Sequence, residues 1–558
     1  MARLNAVIHA TEGQLFSVDS SAGVEFTDGA DVLPFRLDDF AGLATFRGKP
    51  IFNQEQIIDQ IDSGRILSGK TITFGFLDKS HGIGLYNNPN YAAFFTEPNG
   101  MSEFSETQKT AARESLALWD DLIPQDIVEK NGVGADILFT NTTTGPGQAH
   151  AYYPGNGGKY QSDIWTASPV ENWTNEWLNY NGYGATTLIH EAGHALGLSH
   201  PGAYNFGPGF AVNYVNGAEY AQDSEQFSIM SYWDPRETGA TPLDVETGLL
   251  GNAQTPLLHD ILTIQAKYGA DPTTRAGDTT YGFNSNAGRD IYDFSSNQTP
   301  YLSIYDAGGE DTLDLSGAES GVFLDLRPGS FSSAAVRPTL AEANAAIDVF
   351  NAATDAFQGD FAHWTAASQN TYLNAVGINR SRQIADATDG LVDGLRNGIQ
   401  DVRALSYNNI SIAYNTVIEN AVGGSQRDYL LGNHVANKLS GNGGNDVLNG
   451  LGGDDILTGG AGADEFRFTD LGGTDKITDF ASGSDKIHLT EIDANSGVAG
   501  NQNFTFVGSN AFSNTAGELR TFSQGGSNFL AGDVDGNGVA DFLINLGNAT
   551  IAPTDILF

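Results

Sequence analysis

Residues 423 to 467 read GGSQRDYLL GNHVANKLS GNGGNDVLN GLGGDDILT GGAGADEFR, five nine-residue units in succession. Glycine opens the units at 423, 432, 441, 450 and 459, and the sixth place holds Asp428, Asn437, Asp446, Asp455 and Asp464. The eighth place holds Leu430, Leu439, Leu448, Leu457 and Phe466. A flexible glycine linker has no reason to keep an apolar residue in register. The period predicts a parallel β-roll, in which short strands stack the apolar position and glycine-rich turns bind Ca²⁺. The second unit departs from the pattern, with Asn437 for aspartate and His434-Val435 where glycine is usual, so weaker sites are expected there. Carboxylates stacked this closely repel one another, and the roll is expected to fold only with calcium bound.

The composition agrees. The 558-residue chain carries 68 acidic against 27 basic residues, a net charge of −41, together with 68 glycines. Nucleic acid and anionic membranes are poor partners for such a chain, whereas carboxylates interleaved with glycine suit a hard cation. There is no cysteine, which excludes disulfides, thiolate metal sites and a cysteine nucleophile. No run of about 18 apolar residues predicts membrane insertion, and the N-terminus lacks the basic start and apolar stretch of a secretory signal peptide.

Upstream of the repeats, the pattern predicts an α+β fold of several domains. Residues 1–49 have no clear long period and form an N-terminal extension. From about 50 to 268 helix-like stretches (NQEQIIDQIDSG with Ile57, Ile58 and Ile61; SETQKTAARESLALWDDL with Ala112, Leu116 and Trp119) alternate with strand-like ones, KTITFGFLD, ADILFTNT and QAHAYYP. Residues 269–558 turn β-rich, interrupted at 338–405 by a helical hairpin or small bundle. There Leu340, Ala343, Ile347, Phe350, Phe357, Phe361 and Trp364 recur at steps of three and four behind a Thr339/Glu342 capping box, followed by Ile384, Leu391, Leu395, Ile399 and Val402. Residues 468–558 form a terminal β region. Within it DVDGNGVAD has the acidic spacing of a calcium loop without the closing glutamate, and a polar β-turn is the alternative.

The chemistry is concentrated at residues 190–200, HEAGHALGLSH, which gather three of the ten histidines. His190 and His194 are four apart in a segment that reads as helix, so both imidazoles leave one face and can share a metal ion. Glu191 stands beside them, where a general base belongs. Gly197 permits the left-handed turn that ends the helix, and His200 can then return as a third nitrogen ligand. Three neutral ligands leave zinc acidic enough to activate a water molecule.

HEAGHALGLSHP resembles the HExxHxxGxxH signature of metzincin metallopeptidases, and SIMSYW is similar to their Met-turn, with Met230 beneath the metal. The Tyr232 that follows, together with the calcium repeats, resembles the serralysins. This resemblance covers the chain from about residue 50 onward, except the insert at 338–405. It implies a secreted, calcium-stabilised zinc endopeptidase with His190, His194, His200 and Tyr232 at the zinc, Glu191 as base, and Tyr232 as oxyanion stabiliser. Protein or peptide substrates would bind along an edge strand containing Ala149, His150, Ala151 and Tyr152. It further implies calcium at Arg275, Gly277, Thr279, Asp306, Gly308 and Asp311, with Gly309 and Glu419 joining Asp311 at the next ion. In the repeats the implied calcium positions are Gly424, Asp428, Gly441, Gly443, Gly444, Asp446, Gly450, Gly452, Asp455, Gly459, Ala461 and Asp464, with Asp428 paired to Asp446 and Asp446 to Asp464. Export by type I machinery that reads an uncleaved C-terminal signal, here Asp555-Ile556-Leu557-Phe558, is the implied route, and residues 1–49 are expected to be a propeptide or a simple tail. The insert and the N-terminal extension keep a second reading open, that of a cell-surface or matrix-binding calcium-repeat protein whose peptidase domain is inactive or self-processing. In that reading the insert meets a further partner.

Overall fold

The computed structural model describes residues 45–81, 96–130, 134–155, 162–204, 213–354, 360–389 and 401–558. Its first sheet runs in the order Asp126–Glu129, Thr71–Phe76, Ile137–Thr142, Ile164–Ala167, Ala149–Ala151, with Met101–Ser102 also paired to Ile137–Thr142. Neighbours on the main path are parallel until the last, Ala149–Ala151, which runs antiparallel at the edge. Ile137–Thr142 is buried at all six positions because both faces of the sheet are covered, as a central parallel strand requires. Helix α1 (Gln54–Ile61) starts at Asn53 and helix α2 (Glu106–Asp120) at Ser105, each through a reciprocal capping box with the glutamine three residues on. Ala112, Leu116 and Trp119 of α2 point into a core shared with helix α3 (Tyr183–Ala195) and helix α4 (Leu258–Tyr268). The Trp119 indole donates to the Ile189 carbonyl at 3.1 Å, so α2 also fixes the height of α3.

From residue 280 onward the strands form two large, mostly parallel sheets, one of ten strands and one of six, and a three-stranded one, and through the repeats the chain alternates between the two large ones. Parallel neighbours usually need a crossover of a dozen residues or more. Here a strand, a glycine turn and the next strand occupy nine residues, so the chain returns to the same sheet every eighteen. Leu430 is in register with Leu448 and Leu448 with Phe466 in one sheet, and Leu439 with Leu457 in the other. All five side chains are buried in one core between the sheets. The ten-stranded sheet ends in an antiparallel meander, Glu518–Gln524, Ser527–Asp533 and Phe542–Asn545. The terminal Ile556–Leu557 pairs with Lys486–His488, and buried Asp555 accepts hydrogen bonds from Ser482, Gly483 and Ala552. Two guanidiniums, Arg275 and Arg289, meet Asp121 at the end of α2 and tie the parallel sheets to the first sheet.

Helices α5 (Leu340–Thr354) and α6 (Ala366–Asp389) leave the sheets between Phe331–Ser332 and Ile410–Ile412, which pair antiparallel at the base of the excursion. The expected apolar stripe is only partly helical. Phe361 and Trp364 lie beyond α5 in a segment with no regular secondary structure, where the side-chain amides of Asn351 and Asn344 hydrogen-bond their backbones. The second helix starts at Ala366, well before Ile384, and Val402 is buried outside any helix. Phe357, Leu391, Leu395, Ile399 and the first 44 residues lie outside the described residues.

Candidate active site

Helix α3 places His190, Glu191 and His194 within two turns, all of them buried. The Nε2 atoms converge: His194 to His200 is 3.0 Å and His200 to His190 is 3.3 Å. Each outer nitrogen is occupied, His190 Nδ1 donating to the Ile229 carbonyl at 2.7 Å, His194 Nδ1 to Leu198 at 2.7 Å and His200 Nδ1 to Tyr204 at 3.0 Å. A proton held on Nδ1 leaves the Nε2 lone pair directed inward, the arrangement metal ligation needs. Burial pushes the His194 pKa down to about 4, so its ring stays neutral at pH 7. Gly197 makes the return of His200 possible. Its φ is +99°, and a Cβ there would lie 2.1 Å from the Arg65 carbonyl oxygen. Gly193 is needed for packing, since a Cβ would stand 2.8 Å from Met230 Sδ.

Met230 itself is fully buried under the histidines. Its turn is held by a residue the sequence reading missed. Asp260 of α4 accepts from the Ser228 hydroxyl at 2.6 Å, the Ile229 amide at 2.7 Å and the Leu257 amide at 2.8 Å. Burial pushes the Asp260 pKa up to about 6 against these bonds. Asp223 plays the same part on the far side, accepting from Tyr204, Ser231 and the Trp233 indole. The Tyr204 and Ser231 neighbours thereby hold both the carbonyl that orients His200 and the residue before Tyr232. The Tyr232 ring packs 4.4 Å from that of His200, centroid to centroid. Because Ile229 O orients His190 and Asp260 holds Ile229, Asp260→Ala should strip three buried donors of their acceptor, costing about 3–5 kcal/mol. Thermal unfolding checks this, and an alanine variant melting with the wild type would refute it.

The edge strand Ala149–Ala151 pairs on one side only among the described residues, with Ile164–Ala167, and Tyr152 continues the pairing through its amide to the Asp163 carbonyl. His150 stands 3.3 Å from Glu97 on the strand's other face. The next residue, Tyr153, was not singled out from the sequence. It is 42% exposed with its ring edge-on to His194 at 5.6 Å, and burial with the Glu191 charge raises its hydroxyl pKa. It therefore lies at the metal cleft. The strand's position is set by Gln148, whose side chain meets Asn175 at 2.8 Å, Thr187 of α3 at 2.9 Å and Thr174 at 2.9 Å.

The structure also brings together the residues upstream of the repeats expected to hold calcium. Thr279 bonds the Gly277 and Arg275 carbonyls through its hydroxyl and the Asp311 carboxylate through its amide. Asp306 caps Gly308, and Glu419 accepts from the Asp311 amide at 2.8 Å. A Cβ on Gly309 would lie 2.7 Å from Gly277, so these two turns touch. In the repeats three of the four sixth-place carboxylates accept the amide of the counterpart eighteen residues earlier, Asp446 from Asp428, Asp464 from Asp446 and Asp455 from Asn437, while Asp428 accepts that of Val322. The opening glycines face them, since a Cβ on Gly441, Gly450 or Gly459 would fall within 2.4 Å of an oxygen of Asp446, Asp455 or Asp464. Gly424 donates to Asp428, Gly443 bonds Gly441, Gly444 bonds Ala461, and Gly452 packs beside His434. Among the described residues, Asp533, Asp535 and Asp541 of DVDGNGVAD also bring carboxylate oxygens within 4.8 Å of one another.

Nitrogen lone pairs held this close without a proton between them call for a cation, and the buried Glu191 follows His190 directly in the same helix. The class so defined is the metal-dependent peptidases. Comparison gives the particular family. The family description "Peptidase M10 serralysin C terminal" matches residues 270–349 and 340–558. The chain is 36% identical over 546 residues to metallopeptidase AprA of Pseudomonas marginalis, covering 92% of this chain and 94% of that one. It is 37% identical to metalloprotease AprA of Pseudomonas entomophila, covering 82% and 80%. Against serralysin G of Dickeya chrysanthemi it is 32% identical, covering 98% and 100%. The chain belongs to the serralysin family and is a metallopeptidase.

Proposed function

We propose that this metallopeptidase is a secreted, calcium-stabilised zinc endopeptidase. The observation that supports it most is the convergence of three imidazole Nε2 atoms, each with its Nδ1 occupied, next to Glu191. Three neutral nitrogen donors with no thiolate suit Zn²⁺ and leave coordination room for substrate. The ion would supply Lewis acidity, polarising the scissile carbonyl and making the attacking water easier to deprotonate. Glu191 accepts that water's proton and delivers it to the departing amine. Tyr232, standing over His200, donates its hydroxyl to the developing oxyanion. The substrate backbone adds as a further strand along Ala149, His150, Ala151 and Tyr152, which brings one of its side chains against Tyr153.

In this reading residues 50–268 are the catalytic domain and 269–558 a calcium-binding β-roll domain carrying the insert. Calcium occupies the clustered turns at 275–311 with Glu419 and the stacked aspartate turns of the repeats. Of residues 1–49, the part before the hairpin Thr45–Pro50 supplies a propeptide, since Phe46 shares a buried cluster with Ala221 and Phe227 and stays with the mature domain. Type I machinery exports the chain unfolded, its low-calcium form. No helix among the described residues is long and apolar enough to cross a membrane. Stripping zinc with a chelator while calcium is kept present should remove casein cleavage, and about one equivalent of zinc should restore it. Undiminished cleavage by verified zinc-free protein would overturn the reading.

A further inference from the structure

Among the described residues, the helical insert at 338–405 packs on residues 243–249 of the catalytic domain and on one element next to the active site, the 3-10 turn Trp173–Glu176 with the Trp177 that follows it. Phe350 of α5 is buried with its ring edge-on to Trp177, 5.2 Å between centroids and 77° between planes. Phe361 stacks flat on the other side of Phe350 at 4.8 Å and 3°. Trp173, Tyr183 and Leu249 complete this cluster. The contact is locked from outside. The Trp364 indole donates to the Glu246 carbonyl at 2.9 Å, and Asn351 and Asn344 hold the segment carrying Phe361 and Trp364.

That turn holds both parts of the active site. Helix α3 has no side-chain cap at its N-terminus, and the Trp177 carbonyl instead accepts the amides of Gly184 at 3.0 Å and Ala185 at 3.3 Å. Amide groups of a first helical turn have no partner within the helix, so this carbonyl anchors the end of α3. Gly184 is in close contact with the same element, as a Cβ there would meet the Thr174 carbonyl oxygen at 2.4 Å. On its other side the turn grips Gln148 at the head of the edge strand. Asn175 donates to the Gln148 carbonyl, Thr174 to its side-chain oxygen, and the Gln148 amide reaches Thr187 of α3.

We infer that the insert is a brace for the substrate strand: Phe350, pressing on Trp177, sets the 3-10 turn that positions Gln148, and through it the strand Ala149–Ala151 relative to the metal helix. Phe350 and Phe361 are positioning residues. The inference rests on the proposed role of 149–152 as the substrate strand.

The test uses full-length, calcium- and zinc-loaded protein and two peptides, one extended on both sides of the scissile bond and one too short to pair along the strand. Phe350→Ala should lower kcat/KM for the long peptide about three- to tenfold, mostly through KM, the range that loss of one aromatic pair sets. The short peptide should change less than twofold, and bound zinc should be unaltered. Gln148→Leu should reproduce the effect, and the double variant should be no worse than Gln148→Leu alone, because both act through one turn. Phe350→Leu, which keeps most of the buried volume but not the ring edge, carries the same comparison if the alanine variant does not fold. Equal losses on both peptides, or additive losses in the double variant, overturn the brace. Hydrogen exchange separates the two ideas. If wild-type KM does not depend on peptide length, the substrate-strand reading fails, while faster exchange at 148–152 in Phe350→Ala still upholds the brace and unchanged exchange refutes it.

Discussion

Glu191→Gln should reduce peptide hydrolysis by a factor on the order of 10²–10⁴, the contribution of a positioned general base, while the metal content stays at that of the wild type. The amide keeps the size of the buried side chain but cannot take a proton from water. The metal should remain because its nitrogen donors are fixed elsewhere, by Ile229, Leu198 and Tyr204, and not by Glu191. Turnover of a quenched fluorescent peptide, with metal analysis of the same sample, measures both. Retained activity would remove Glu191 from the mechanism, and lost metal would make it a ligand or a structural residue.

The second large effect is expected in the metal-free repeats, and its dependence on pH runs opposite to that of an ordinary ion-paired aspartate. Burial pushes Asp428 up to about 8 and Asp446, Asp455 and Asp475 to about 7, with neighbouring aspartates adding to the shift. Unfolded aspartate titrates near 3.9, so without calcium the folded state binds more protons than the unfolded one between about pH 4 and 8. Stability is therefore full below pH 4 and is lost as pH rises through 7 to 8. After discounting for solvent screening, a loss of about 3 kcal/mol from pH 5 to 8 means that any β structure the repeats keep in excess chelator at pH 5 should be gone at pH 8, as read by circular dichroism. Calcium should reverse the trend and release protons on binding near pH 7. Asp446→Ala should raise the calcium needed for half-folding more than other single changes in the repeats, because Asp446 is bonded to the turns on both sides. β structure in chelator that grows as pH rises would contradict this account of the turns.

Much of the architecture is local and could be read directly. The capping boxes at Asn53 and Ser105 involve residues three apart, and the nine-residue register needs only a chain that turns at each glycine. The imidazole pair of α3 follows from helical spacing alone. What escaped is what connects distant stretches. Nothing near the Met-turn announces Asp260 thirty residues on, or the choice of Asp223 as joint acceptor for Tyr204, Ser231 and Trp233. The spacing of Phe361 and Trp364 imitated a helix, but the Asn351 and Asn344 amides bond the backbones of these two residues and the segment that carries them takes no helical form. Tyr153 could have been found, as it directly follows the edge strand, but its approach to His194 depends on how Gln148 is gripped.

Ser332 and Ile410 are direct partners although 78 positions separate them, and beyond them Phe323 and Tyr429 pair as neighbours in the six-stranded sheet. The coil of parallel strands thus continues across the excursion as if it were an ordinary turn. Chain entropy explains why this is tolerated. Closing a loop of that length costs only about 2 kcal/mol more than closing one of nine residues, since the penalty grows with the logarithm of length. The closed antiparallel base then isolates whatever lies between from the stacking on either side. The same two strands form a socket in the scaffold, into which a segment of different length or fold could be grafted while the coil beneath keeps its register.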